Sequence, residues 1–226
     1  MSADDDPKVI AELLQPAYAA TRARSLSLER ATGEARPAAK ASPESPDTTH
    51  FTIVDRDGNM VTNTYTLSGF YGSQVIAKGT GVLLNNHMSV FYGPTAGKLL
   101  RPGRRYPSTM CPTLVLKPDN GPLLALGTPG GATIPSTIAQ VISNVVDFKM
   151  SLRDAVEFPR LHFAGGQVEA EPAALVYDVA ERLKAMGHKL NERYRSQGDV
   201  QAVMVEADGW RVGWSDGRRG GSVKGY

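Results

Sequence analysis

The sharpest constraint on this chain is an abrupt change of texture between residues 47 and 48. Residues 31–47 (ATGEARPAAKASPESPD) are rich in proline, alanine, serine and charge and almost free of large apolar side chains. Such a segment cannot bury enough surface to offset the entropy of ordering it, and it reads as an exposed, mobile connector. It runs straight into Thr48-Thr49-His50-Phe51-Thr52-Ile53-Val54-Asp55, a β-rich run headed by threonine. A strand-starting threonine is usually only a good β-former. Cleavage before Thr48 would nevertheless leave one residue carrying both a hydroxyl nucleophile and a free α-amine base, a combination that activates a weak alcohol.

The rest of the pattern is α+β. Residues 8–30 read as one or two short helices, with Ile10, Leu13 and Leu14 on one stripe and Pro16 opening the second piece. Residues 49–55 and 60–66 flank Arg56-Asp57-Gly58-Asn59, a hairpin signal, and 113–117 and 122–127 flank Pro118-Asp119-Asn120-Gly121, a second one. Gly79 to Asn85 is expected to form a further strand. After Pro129-Gly130-Gly131, the residues Ile134, Ile138, Val141, Ile142 and Val145 fall on one helical face. Ser151-Leu152-Arg153-Asp154 reads as a capping box for a short helix ending before Pro159. A longer helix is expected over 172–186, with Pro172 in its first turn and Gly187 as its stop. Val200–Val205 and Trp210–Ser215 around Asp208-Gly209 make a final hairpin. Hairpins around two central helices predict a layered sandwich rather than alternating βαβ units.

Composition narrows the function classes. The net charge of +2 is spread along the 226 residues, which gives no electrostatic footprint for nucleic acid. The pairs Arg104-Arg105 and Arg218-Arg219 read as solvated surface. No apolar run has the length of a membrane span, and the acidic start, Met1 to Asp6, lacks the apolar core of a secretory signal. Compartment is therefore unassigned, with export depending on any upstream half. The single cysteine, Cys111, excludes an internal disulfide and reads as a small buried hydrophobe. The four histidines have no metal-ligand spacing, so neither metal nor cofactor is expected.

Four local features follow one another in order: Thr48 at the head of a hairpin, Thr64-Tyr65-Thr66 on its return strand, Ser108-Thr109 after the basic turn Arg101–Pro107, and Gly127-Thr128-Pro129-Gly130-Gly131 at a strand end. Consecutive glycines at such a place offer backbone N–H groups to a small anion. In this order and spacing, together with Gly79-Thr80-Gly81-Val82-Leu83-Leu84-Asn85-Asn86, Arg105-Tyr106-Pro107-Ser108-Thr109-Met110 and the closing Gly225-Tyr226, the chain closely resembles the small subunit of the γ-glutamyltranspeptidase family from Thr48 onward. Residues 1–47 resemble the end of that family's large subunit and its linker.

The resemblance implies the C-terminal half of an N-terminal-nucleophile hydrolase, an αββα four-layer sandwich, made by a proenzyme that cuts itself before the threonine. It implies that Thr48 forms an acyl-enzyme with a γ-glutamyl amide such as glutathione, that Thr66 orients the nucleophile, and that Gly130 and Gly131 stabilise the oxyanion. Ser108 and Thr109 match positions that hold the substrate's α-carboxylate. Three positions depart from the family's usual pattern: Ser68 stands in place of asparagine, His87 in place of glutamine, and Val90 in place of the aspartate that pairs with the donor's α-ammonium. Ser68 and His87 remain candidate substrate contacts. Losing the ammonium partner favours looser γ-glutamyl binding or an acyl group without the ammonium, as in related acylases. Most of a large subunit is missing from the sequence. A separate large-subunit half is the expected partner, and a catalytically silent remnant is the alternative from another class.

Overall fold

The computed structural model describes residues 7–31, 47–91, 102–103, 105–164, 166–191 and 196–226. Most of the connector before Thr48 lies outside these residues, as do the acidic start, Arg101 and Arg104 of the basic turn, and the side chain of Val90.

Helices α1 (Pro7–Leu13) and α2 (Pro16–Arg24) form where the sequence places them, and neither buries a residue. Strands β1 (Thr48–Val54) and β2 (Met60–Thr66) pair antiparallel from Thr48↔Thr66 to Val54↔Met60. Their turn is held by the Asp55 carboxylate, which accepts the N–H groups of Asp57 and Asn59, both at 2.9 Å. The second sheet has the order β3-β4-β8-β9, from β3 (Thr113–Leu116), β4 (Pro122–Gly127), β8 (Gln201–Val205) and β9 (Arg211–Ser215). Its central strand β4 is covered on both faces. Leu124 and Leu126 pack beneath Ile134, Ile138, Val141 and Val145 of α3 (Ile134–Val146) and Leu152, Ala155 and Val156 of α4 (Leu152–Glu157). Each fully buried leucine contributes roughly 1.5–3 kcal/mol.

By strand alternation the opposite face of β4 carries Ala125 and Gly127, and the β1–β2 hairpin stacks there. Thr62 Oγ1 donates to Leu126 O and Thr52 Oγ1 to Gln201 O, each at 3.0 Å. The order helix, sheet, sheet gives three of the four layers the sequence implies. The outer face of the hairpin, with Phe51, Ile53, Val61 and Tyr65, is exposed. A third sheet, β5 (Leu161–Ala164), β6 (Gln167–Ala170) and β7 (Leu190–Asn191), is tied to α3 by Gln140. The Gln140 side chain donates to Leu161 O at 2.8 Å and accepts from its N–H at 2.9 Å. Ser151 caps α4 as expected, its hydroxyl accepting the Asp154 N–H at 3.1 Å. Cys111 is half-buried against the core, and burial raises its thiol pKa.

Three expectations are corrected. Gly79–Asn85 is not a strand: Gly79 and Gly81 sit at φ +82° and +72°, which breaks an extended run. A turn at Ala77–Thr80 with a single bridge, Ile76↔Leu83, replaces it. The helix expected over 172–186 is α5, Tyr177–Ala185. Ala173 at φ +63° and the bond from Ala174 N–H to Glu171 O make a turn around Pro172, while Gly187 at φ +92° ends the helix as expected.

The third correction is Arg218, which is drawn into a buried ion network. Arg218 grips Glu171 bidentately, through Nε at 2.8 Å and Nη2 at 2.6 Å, and reaches Asp216 at 2.9 Å. Arg160, 2% exposed, contacts the other oxygen of Asp216 at 2.7 Å. Short-range sequence pattern carries no sign of Arg160 or Glu171, which arrive from segments before β5 and after β6 to meet Asp216 and Arg218 beyond β9.

Candidate functional site

Thr48 heads β1 directly opposite Thr66. The Thr66 hydroxyl accepts the N–H of Ser68 at 2.9 Å, and Ser68 takes a left-handed φ of +75° at the strand's end. His87 opens a 3-10 turn, His87–Phe91, and its Nε2–H donates to Thr66 O at 3.2 Å. Its ring stacks on Tyr106, with centroids 4.4 Å apart and planes 8° from parallel. Tyr106 leads through Pro107 into Ser108, whose Oγ accepts the Met110 N–H at 3.1 Å, and Thr109, whose Oγ1 donates to Gly131 O at 2.8 Å. Thr48, Thr66, Ser68, His87, Ser108, Thr109, Gly130 and Gly131 therefore belong to one continuous set of contacts, although 83 residues separate Thr48 from Gly131.

Gly130 and Gly131 lie between β4 and α3 at φ +144° and +57°, conformations that suit residues without a Cβ. The carbonyl of Gly130 accepts both the N–H of Thr133 at 3.1 Å and its hydroxyl at 3.0 Å. Among the described residues, the N–H groups of Gly130 and Gly131 donate to no backbone carbonyl. Two adjacent free amides beside a helix start are suited to holding an oxyanion.

Beneath Thr48 lies a group that the sequence reading passed over. His50, two residues on and so on the same strand face, is 6% exposed and packs against Gly127, where any added Cβ would lie only 2.1 Å from its ring. The hydroxyl protons of Thr52 and Thr62 are committed to carbonyls of β8 and β4. Both oxygens must therefore accept from His50 Nε2–H, at 3.1 and 3.0 Å, while Nδ1 accepts from Thr64 at 2.8 Å. Burial lowers the His50 pKa from 6.5 to about 4.

This has a consequence for stability. The unfolded chain takes up a proton at His50 below its ordinary pKa, and the folded chain does not until about pH 4. The stability held above pH 6.5 should therefore decline by roughly 3 kcal/mol as the pH falls to 4. Denaturation midpoints measured across this range should show that slope, and His50→Gln should flatten it; equal slopes would contradict the buried neutral ring.

His50 and Tyr106 are thus the neighbours that sequence reasoning missed at this site. The period-two alternation of Thr48 and His50 on one strand was a usable signal for the first; the second lies in the Arg105–Met110 motif, but nothing local points to its stacking on His87.

The family description Gamma-glutamyltranspeptidase matches residues 1–226. A glutathione hydrolase proenzyme of Pseudomonas aeruginosa is 37% identical over 219 residues, covering 87% of this chain and 38% of its own length. The chain belongs to the γ-glutamyltranspeptidase family. An acylase ACY 1 proenzyme of Pseudomonas sp. strain SE83 is 38% identical over 206 residues, covering 90% of this chain and 36% of its own. Among solved structures, γ-glutamyltranspeptidase from Pseudomonas nitroreducens complexed with L-DON aligns with TM-score 0.66 and 38% identity, over 79% of this chain and 98% of that one. The chain thus spans little more than a third of the length of those two curated relatives. Its stacked sheets and helical layer are the C-terminal half of the N-terminal-nucleophile hydrolase fold. Among the described residues no helix is long and apolar enough to cross a membrane.

Proposed function

We propose that this chain is the catalytic half of an N-terminal-threonine acyl transferase and hydrolase acting on γ-glutamyl amides such as glutathione. The observation that carries this reading is the continuous contact set running from Thr48 through Thr66, His87 and Ser108-Thr109 to the free amides of Gly130 and Gly131. Thr48 Oγ attacks the Asp47 carbonyl, the C–N bond breaks as an ester forms, and water hydrolyses that ester. This liberates the Asp47 carboxylate together with the Thr48 hydroxyl and amine. Residues 1–47 are then the end of a large-subunit-like region with its linker, and 48–226 the catalytic domain. Two facts support the cut: the relatives are named as proenzymes, and the Pseudomonas nitroreducens chain matches 79% of this one, the share that 48–226 makes of the 226 residues.

The freed α-amine, with an ordinary pKa of about 7.7–8.0, is partly neutral near pH 7 and takes the hydroxyl proton. Thr48 attacks the substrate carbonyl, and the resulting oxyanion meets the N–H groups of Gly130 and Gly131. Losing one such donor typically costs about 2.7–4 kcal/mol of barrier. Thr66 orients the nucleophile, Ser68 and His87 contact the substrate, and Ser108 and Thr109 hold the donor's carboxylate. Water or an acceptor amine then releases the acyl group. The exposed face of Phe51, Ile53, Val61 and Tyr65 supports a separate large-subunit half as the covering partner.

A second reading is favoured by Val90, which cannot pair with an ammonium, and by the aromatic His87–Tyr106 stack beside Thr66. It assigns an acyl donor without the α-ammonium, and the acylase relatives support it. The deciding experiment expresses the chain with a large-subunit partner, measures intact mass, and compares a γ-glutamyl anilide with its deamino counterpart, the glutaryl anilide. A new terminus at Thr48 with turnover of either anilide is expected. A tenfold or greater preference for the glutaryl compound selects the second reading. An uncut, inert complex selects a silent remnant and overturns both.

A further inference from the structure

We infer that Thr128 and Thr133 are positioning residues that aim the two oxyanion-binding amides, an inference that rests on the role proposed for Gly130 and Gly131. The physical link is the planar trans peptide, in which the C=O of one residue and the N–H of the next point in opposite directions. Fixing a carbonyl therefore fixes the following amide.

The Gly130 N–H shares its peptide with the carbonyl of Pro129, and that carbonyl accepts a hydrogen bond from Thr128 Oγ1 at 2.6 Å. The Gly131 N–H shares its peptide with the carbonyl of Gly130, which accepts from Thr133 Oγ1 at 3.0 Å and from Thr133 N–H at 3.1 Å. Each of the two amides is thus pinned from behind by a threonine hydroxyl. Both threonines are buried, Thr128 at 0% and Thr133 at 6% exposure, so no water replaces them easily.

Thr128 is itself held from the far side. Its Oγ1 has one proton, given to Pro129 O, and it accepts the N–H of Asp199 at 2.7 Å. Gly198 adopts φ +75°, and a Cβ there would come within 2.6 Å of Thr128 Oγ1. Val200, the residue after Asp199, donates its N–H to Asp216 at 2.9 Å, so the hydroxyl is anchored to the buried ion network. A preorganised donor costs nothing to reorient as charge develops on the oxygen, whereas a peptide free to turn loses that advantage. Neither threonine touches substrate in this scheme; both act through the glycine amides.

The test uses the partnered, processed protein and four variants: Thr128→Val and Thr133→Val, which keep shape and lose the hydroxyl, and Thr128→Ser and Thr133→Ser, which keep the hydroxyl. Each valine variant is expected to lower kcat about 10- to 100-fold, with KM changed less than about threefold, and each serine variant to recover most of the loss. Affinity for an alkyl boronic acid, which forms a tetrahedral anion on the nucleophile, should fall in parallel with kcat, while affinity for a planar, unreactive amide should not. Valine variants that keep wild-type kcat and boronate affinity overturn the positioning role, as does a drop in kcat that serine fails to rescue. If the wild-type protein turns over amides without exposing Thr48 as a terminus, the proposed function fails. A wild-type enzyme that behaves as proposed beside unimpaired valine variants isolates the failure to this inference.

Discussion

Replacing Thr48 by alanine is expected to leave the chain uncut before residue 48 and to lower acyl transfer by about 10⁵-fold or more, the scale on which removing a nucleophile acts in comparable enzymes. The single change removes the oxygen proposed to attack in both reactions, self-cleavage and turnover. A chain supplied already cut, with alanine as its first residue, separates the two: it has a free α-amine but no hydroxyl, and should remain inactive on a γ-glutamyl anilide. Intact mass and kcat are the readouts. Because Thr48 is half-buried at the head of β1 and alanine is smaller, the thermal midpoint should move little. Substantial turnover by the precut alanine form would mean that another nucleophile carries the chemistry.

The largest expected effect on stability is at Asp216. This carboxylate, 1% exposed, lies between two guanidinium groups and also accepts the N–H groups of Val200 at 2.9 Å and Arg218 at 3.0 Å. Asp216→Ala leaves the Arg160 guanidinium buried with its charge partner gone, which typically costs about 3–5 kcal/mol. Asp216→Asn retains oxygen and shape, removes the charge, and should fall between. Denaturant midpoints of the partnered protein measure both. The network also reaches Glu171, which receives the N–H groups of Arg160 at 2.9 Å and Gln197 at 2.6 Å, so its loss should loosen β8 and β9 together. A change below about 1 kcal/mol for Asp216→Ala would show that the network is dispensable for folding.

Much of this architecture is legible in local sequence because its causes are local. Asp55 and Gly58 dictate the β1–β2 turn, Ser151 caps α4, and the stripe Ile134, Ile138, Val141 and Val145 marks the buried side of α3. The strand expected at Gly79–Asn85 fails for a reason also written locally, two glycines at positive φ, but apolar Val82, Leu83 and Leu84 mask it. The start of α5 shifts to Tyr177 because Ala173 adopts a left-handed φ, which alanine disfavours and which only its surroundings impose.

By itself, the sequence determined the hairpins, the helical faces and the break in texture before Thr48, since each rests on periodicity or turn chemistry within a few neighbours; the eight candidate residues came from the chain's resemblance to its family. Tertiary structure alone decided which distant groups meet. It brought His50 against Gly127, stacked His87 on Tyr106, set the Asp199 N–H on the Thr128 hydroxyl and folded Arg218 inward to Glu171. The physical reason is that buried polar groups must find partners when water is excluded, and in this fold those partners come from strands and helices remote along the chain.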